Sequence, residues 1–228
     1  SYMSSSYTKD IFVAKYSSNG NCLWAVKAGG PANDGGHRIK VNVENKLLVY
    51  GTFDSQVFFG SYGVTSRGYE DCFLTMMDTS SNFLWAKGMG SDSPEIPDGL
   101  SLDASGNSYV NGMFRGTAYF DGIPIAIGNN GYHEIFIAKY NQSGNCIWAK
   151  AMGSLTQDYS GGAISDDQGN LYLAGFNGNG ATFDTISVTA EGGFIAKYNQ
   201  QGRSQWVKSI LGARPTAIDL DLRNNIFI

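Results

Sequence analysis

Apolar residues along this chain alternate in short runs, and one run is written four times. Its first copy, residues 10–24, reads Asp-Ile-Phe-Val-Ala-Lys-Tyr-Ser-Ser-Asn-Gly-Asn-Cys-Leu-Trp; the others occupy 71–85, 134–148 and 192–206. The third place is always Phe (Phe12, Phe73, Phe136, Phe194), and the last is always Trp (Trp24, Trp85, Trp148, Trp206). These are the only tryptophans of the protein, and they stand 61, 63 and 58 residues apart. Within the run, 11–16 alternates as a strand, 17–21 is a polar turn and 22–28 is a second strand, which predicts a hairpin. Phe12, Ala14 and Tyr16 point one way, Ile11 and Val13 the other. With both faces apolar, the strand is expected in a sheet covered on both sides. Gly20, Gly144 and Gly202 supply the glycine a tight connection needs, and only Ser81 departs.

The register persists beyond each Trp. Fifteen and seventeen residues on stand Ile39 and Val41, Leu100 and Leu102, and Ala163 and Ser165. A turn follows, clearest at 103–107 and 166–170, and then a fourth strand that reaches a glycine at Gly51, Gly112 or Gly175. The last unit repeats this with Ile218, Leu220 and Asp221, then Asn225 to Ile228. The variable connection back to the next run carries Phe-Phe-Gly (58–60), Tyr-Phe-Asp (119–121) and Thr-Phe-Asp (182–184), expected as a short extra strand or hairpin at a sheet edge. Four strands per unit of about 60 residues, with no helical segment, predict an all-β fold, a β-propeller with four-stranded blades. The expected division is a half blade over 10–30, blades over 36–91, 97–154 and 159–212, and a half blade over 215–228. Open apolar edges are avoided if the two halves meet in a four-bladed ring or belong to a ring of six to eight blades; the second is the expectation, since Ile228 stops before the glycine that ends the other fourth strands.

Composition fits this picture. Charged residues make up 16 %, while Gly is 30 of 228 and aromatics are 13 %. A net charge of −4 without a basic cluster makes nucleic acid a poor partner. No apolar run approaches the ~18 residues that span a bilayer. Residues 1–9 look like the tail of another repeat. Cys22, Cys72 and Cys146 are expected as small buried hydrophobes rather than as a disulfide, so they do not fix a compartment.

The pattern resembles the SBBP repeat, a bacterial β-propeller family. The residues that carry the likeness are Asp10-Ile-Phe-Val-Ala-Lys15, Asn19-Gly20, the strand from Trp24 to Gly30, Leu100 to Asp103, and Gly169-Asn-Leu-Tyr-Leu-Ala-Gly175. Met76 departs from the Lys, Asn42 from the Asp, and Gly192-Gly193 opens the last run without an acid. The resemblance implies a propeller, export to the bacterial cell surface or medium, and a place inside a longer multidomain protein; it implies no chemical activity. A more distant likeness, to quinoprotein propellers and the Asp-box of sialidases, concerns a structural Gly and Trp only.

Candidate chemistry is sparse. The tryptophans sit where strands are buried, which favours a wedge between blades over a ligand platform. Lys15, Lys139 and Lys197 recur with the repeat and are expected along a blade edge. Asp34, Asp98 and Asp158 precede the first strand of each whole blade and would stand at a channel mouth, holding a cation or glycan hydroxyls, or else tying a turn. Asp98 is three positions out of register, and Thr216 stands in the fourth unit. Residues 103–107 and 166–170 lack the acids of a calcium loop, His37 and His133 have no partner motif, and no nucleophile–base or metal-spaced set is present. No cofactor is expected. The functional expectation is a non-catalytic extracellular binding or scaffold domain that takes a protein or glycan ligand through loops on one face. The alternative is a glycan-active hydrolase or lyase working from the channel.

Overall fold

The computed structural model describes residues 8–128 and 131–228, and every element in them is a β-strand; the expected repeat tail before Thr8 lies outside the described residues. A first hairpin, β1 (Ile11–Tyr16) and β2 (Cys22–Ala28), forms its own sheet. The first full unit is β3 (Asp34–Val41), β4 (Leu47–Phe59), β5 (Tyr62–Met77) and β6 (Phe83–Gly90). The second is β7 (Ile96–Leu102) and β8 (Ser108–Phe114), then a connecting hairpin β9 (Ala118–Phe120) and β10 (Ile123–Ile125), then β11 (Glu134–Tyr140) and β12 (Cys146–Gly153). The third repeats this as β13 (Tyr159–Ser165), β14 (Leu171–Asn177), β15 (Ala181–Phe183), β16 (Ile186–Val188), β17 (Gly192–Tyr198) and β18 (Ser204–Ile210). A last pair, β19 (Asp219–Leu220) and β20 (Ile226–Phe227), stands alone.

All ladders are antiparallel, and each unit runs in chain order from its first strand to its fourth. The connecting hairpins do not join their own unit's sheet. β9 pairs with β6 and β15 with β12, so each hairpin extends the outer edge of the preceding unit. β1 and β20 share no ladder, each pairing only with its hairpin partner, so the described strands do not close on themselves.

The core lies between units, not inside them. Ile11, Val13 and Ala28 pack with Val49, Phe53, Phe59, Phe73 and Met77. Leu48, Tyr50, Leu74 and Met76 face the second unit's Val110, Phe114, Phe136 and Ala138. Ile135 and Ile137 face the third unit's Leu171, Leu173, Phe194 and Ala196. Successive residues of one strand therefore serve two different interfaces, which is why a period-2 strand can be apolar on both faces. In β11 all seven residues are buried. The expectation fails for the first copy: Ile11 and Val13 are buried, but Phe12 and Tyr16 are 70 % and 61 % exposed because no described sheet covers that face. Cys22 is likewise exposed, while Cys72 is buried and Cys146 half-buried, all three as free thiols. The slot of Cys22 is covered elsewhere by a connecting-hairpin tip, as Asp121 covers Cys146, and no described tip lies over Cys22.

The glycine at the end of each predicted fourth strand has a different role. The strands run on past it, to Phe59, Phe114 and Asn177. Gly51, Gly112 and Gly175 lie directly across the ladder from Phe73, Phe136 and Phe194, and a Cβ on any of them would come within 2.8 to 3.0 Å of that ring. The glycine is the floor on which the phenylalanine of the run lies.

Three junctions are also fastened by tryptophan. Trp24 Nε1 donates to the carbonyl of Thr79 at 2.9 Å, Trp85 to Gln142 at 3.0 Å and Trp148 to Gln200 at 3.0 Å. The acceptor is always the hairpin turn of the next unit. That turn's glycine lies flat on the indole: a Cβ on Gly144 would be 2.7 Å from Trp85 Cδ2, and one on Gly202 2.8 Å from Trp148 Cδ2. Gly144 also holds a φ of +78°, and Ser81, in the same slot, holds +69°. Gly144→Ala is expected to cost more than the about 1–2 kcal/mol of a left-handed alanine, because it also lifts the turn from Trp85. Gly116 has a φ of +69° with nothing near its Cβ direction, so Gly116→Ala gives the backbone cost alone. Urea unfolding of the two variants should separate them by at least about 1 kcal/mol.

Candidate functional site

The innermost strands β3, β7, β13 and β19 stand side by side with one edge each free of a ladder partner. Together they line a groove of about 440 Å³ whose polar side chains are Lys40, Ser101, Ser165 and Asp219, among Val41, Leu100, Leu102 and Ile164. Adjacent units are joined across it: the Ser101 and Ser165 hydroxyls lie 2.8 Å apart, and Ser165 N donates to Ser101 Oγ at 2.8 Å.

At one end of the groove the inner strands of the three full units, β3, β7 and β13, are bulged at the same slot. The register slips between Gly36 and Arg38, Pro97 and Gly99, and Ser160 and Ala163. A bulge re-aims the extra side chain, so the slot presents His37, Asp98 and Gly161 in turn. Asp98 is the charged centre here. Its Oδ2 accepts from Ser160 Oγ at 2.8 Å and from Asn111 Nδ2 at 3.2 Å, and its Oδ1 lies 3.8 Å from Arg38 Nη2. Asn111 is fully buried and also reaches Ser160 Oγ at 2.6 Å. His37 is tied to Thr52, its Nε2 3.3 Å from Thr52 Oγ1, which in turn donates to Glu70. Residues from all three full units thus meet at one polar cluster.

Asp34 and Asp158 lie elsewhere. Both are buried at the entry to an inner strand, Asp34 as the first residue of β3 and Asp158 just before β13. Asp34 Oδ2 accepts the amide of Gly30 at 2.8 Å; Asp158 Oδ2 accepts that of Ser154 at 2.7 Å, and its Oδ1 that of Gly178 at 2.9 Å. Burial pushes Asp34 up to about 6 against the Gly30 amide, with Asp10 adding to the rise, and burial likewise raises Asp158. The residue equivalent to them in the second unit is Glu95, ten places after Trp85 as Asp34 is after Trp24 and Asp158 after Trp148. Asp98 is therefore not their counterpart, and the structure does not bring the three aspartates together.

The turns at 103–107 and 166–170 are Asx turns: Asp103 Oδ1 accepts Ser105 N and Asn107 N, and Asp166 Oδ1 accepts Gln168 N and Asn170 N. Lys139 is not along an edge but buried, its Nζ 3.2 Å from Asp103 Oδ2 and 4.8 Å from the centre of the Tyr109 ring. A larger recess, about 580 Å³, lies against the connecting hairpin, lined by Asp92, Ser93, Arg115, Thr117 and Tyr119. Its walls come from one junction, with Arg67 stacked 4.2 Å over Tyr119 and Arg115 Nη2 3.4 Å from His133 Nδ1. The inner groove is the stronger candidate because four successive units build it.

Comparison with known proteins finds a distant similarity to a WD repeat-containing protein. It is 24 % identical over 224 aligned residues to an uncharacterized WD repeat-containing protein of Acanthamoeba polyphaga mimivirus, a match that covers 81 % of this chain and 16 % of the relative. The chain thus spans about a sixth of that relative's length. No protein-family model matches this chain.

Two of the three partners of Asp98, Asn111 and Arg38, differ in burial, and this fixes the expected outcome of cutting each contact. Asp98→Ala strips an acceptor from fully buried Asn111, at a cost of about 1–3 kcal/mol. Arg38 is half exposed, and Arg38→Ala should cost less than about 1 kcal/mol. Thermal unfolding of both variants measures the difference.

Proposed function

We propose that this chain is a run of β-propeller blades of the SBBP type, working as a non-catalytic module that holds a protein or glycan ligand against its inner-strand groove. The observation that carries this is the convergence of β3, β7, β13 and β19 on one groove. Strand edges offer unpaired N–H and C=O groups, and the added hydroxyls, ammonium and carboxylate suit a ligand rich in hydrogen-bonding groups. The WD-repeat likeness and the three Trp junctions support the propeller, which is a frame for binding surfaces rather than for one chemistry. In the bulge slot, Asp98 already bonds Ser160 and Asn111, an arrangement that positions an acid more than it frees one for proton transfer. Placement at a bacterial surface or in the medium follows from the SBBP likeness alone, as does membership of a longer surface protein.

The purified chain should be screened on glycan and peptide arrays, and the best ligand titrated calorimetrically. Ser165→Trp, which fills the groove at a half-buried inner-strand position, should weaken that ligand at least about tenfold, roughly 1.4 kcal/mol. Thr117→Trp, in the outer recess, should leave it unchanged. Binding that Thr117→Trp abolishes and Ser165→Trp spares would move the site to the recess. Turnover of a glycan that Asp98→Ala removes would make the chain an enzyme and overturn the proposal.

A further inference from the structure

A second feature repeats with the units, and it is buried at their junctions. The first residue of each run is an acid in three copies, Asp10, Asp71 and Glu134, and each is followed 24 residues later by another, Asp34, Glu95 and Asp158. The fourth copy has Gly192 and Thr216, so both members are missing together. The first acid of a pair belongs to the hairpin of one unit, and the second sits at the entry to the next unit's inner strand. Beside each pair one backbone bond crosses the junction: Asp34 N to Lys9 O at 2.8 Å, Glu95 N to Glu70 O at 2.9 Å and Asp158 N to His133 O at 3.1 Å.

The carboxyls of a pair touch. Asp71 Oδ1 and Glu95 Oε2 face each other over Gly90, and Glu134 and Asp158 meet in the same way over Gly153. All four residues are 2 % exposed or less. They converge above a glycine: a Cβ on Gly90 would lie 2.5 Å from Glu95 Oε2 and 2.6 Å from Asp71 Oδ1, and one on Gly153 2.5 Å from both Asp158 Oδ2 and Glu134 Oε2. The outer oxygens are engaged. Asp71 Oδ2 accepts Arg67 N, Glu95 Oε1 accepts the Ser91 hydroxyl, and Asp158 accepts Ser154 and Gly178. Asp71 Oδ1 and Glu95 Oε2 accept nothing from any other described group.

The first pair shows what the contact requires. There Lys27 places its ammonium 2.8 Å from Asp10 Oδ2. The same slot, three residues after Trp, is Gly88 in the second pair and Ala151 in the third. The charged groups around Asp71 and Glu95 are Arg67, Glu70 and Asp92, with the buried Cys72 thiol; the Arg67 guanidinium lies over Tyr119. Around Glu134 and Asp158 are His133 and Arg115, which face each other. Among the described residues no third His, Cys, Asp or Glu completes a metal-binding group at either pair. Two buried carboxylates in contact cannot both stay charged without a counter-ion.

We propose that at the Asp71–Glu95 junction, which has no lysine, the acid pair holds one shared proton, Glu95 donating to Asp71, and that this proton latches the first full unit to the second. Loss of the proton leaves two adjacent buried negative charges, so the junction opens in alkali. The sign follows from the pKa directions. Burial pushes Glu95 up to about 8 and Asp71 up to about 6. Unfolded carboxyls titrate near ~4, so the folded chain binds more protons above that pH. The latch's contribution is full below about 4, falls as pH rises through about 6, and is gone above about 8. The Glu95 loop continues into the bulge that carries Asp98, three residues on, so the latch also sets the entrance of the inner groove.

Thermal unfolding of the whole chain between about pH 5.5 and 8.5 tests this without any ligand. The wild type should lose at least about 3 °C across the window. In the variant Glu95→Gln the amide supplies a permanent donor, and the slope should flatten. Infrared spectra of the wild type near pH 7 should show the carbonyl stretch of a protonated carboxyl, a reading that needs no variant to fold. A flat or rising wild-type profile, an unaltered slope in Glu95→Gln, or the absence of that stretch would overturn the proposal. So would a calcium-dependent rise in melting temperature at about pH 8, which would put a cation where the proton is proposed.

Discussion

The contact of one unit's indole with the next unit's hairpin turn holds this architecture together. It fixes two things at once, a hydrogen bond from Nε1 and the close stacking of a turn glycine, and both depend on the two sheets keeping one separation. Since each unit's apolar residues are divided between two neighbours, no unit has a core of its own. Stability is then a sum over junctions, and the chain is close to one-dimensional in its energetics.

Most of the frame can be read from the sequence because it is local. A run of fixed length, a turn glycine and period-2 alternation determine a hairpin whatever lies beside it. What escapes depends on residues far apart in the chain. Gly51, Gly112 and Gly175 look like strand ends, yet each is there because a Phe ring some twenty residues later lies across it. Phe12 and Tyr16 look buried by pattern, but the sheet that would cover them is not among the described strands. The acid pairs left a signal in a constant spacing of 24 residues; choosing aspartates alone hides it, because Glu95 and Glu134 carry one member of each of two pairs. Asp98 is visible as an acid but not as a bulge residue, since a bulge is a property of two strands.

The placement of length variation also has a physical sense. The connecting hairpins β9–β10 and β15–β16 leave their own units and add to the outer edge of the preceding one, where an extra strand disturbs no other ladder, while in the first full unit the far ends of β4 and β5 stay paired with each other. Inner strands have no such freedom, because they are packed against their counterparts on both sides. Backbone geometry along the groove is therefore set by the repeat, and diversity is confined to side chains at a slot such as His37, Asp98 and Gly161. A frame of this kind can change its ligand without changing its fold.

The last junction shows how far the pattern can relax. There the run begins with Gly192, Thr216 replaces the loop acid, and neither a proton nor a lysine is needed. Arg214 instead stacks 3.5 Å over the Tyr159 ring, a cation–π contact between the loop and β13. Gly161 and Gly162 let the chain at Pro215 to Ile218 approach β13 more closely than a side chain would permit. The buried acids are thus one solution to a general requirement, that the loop entering each inner strand be fixed to the unit before it. A cationic salt bridge, a shared proton and a stacked guanidinium meet the same requirement with different dependence on pH, and the repeat places all three along one chain.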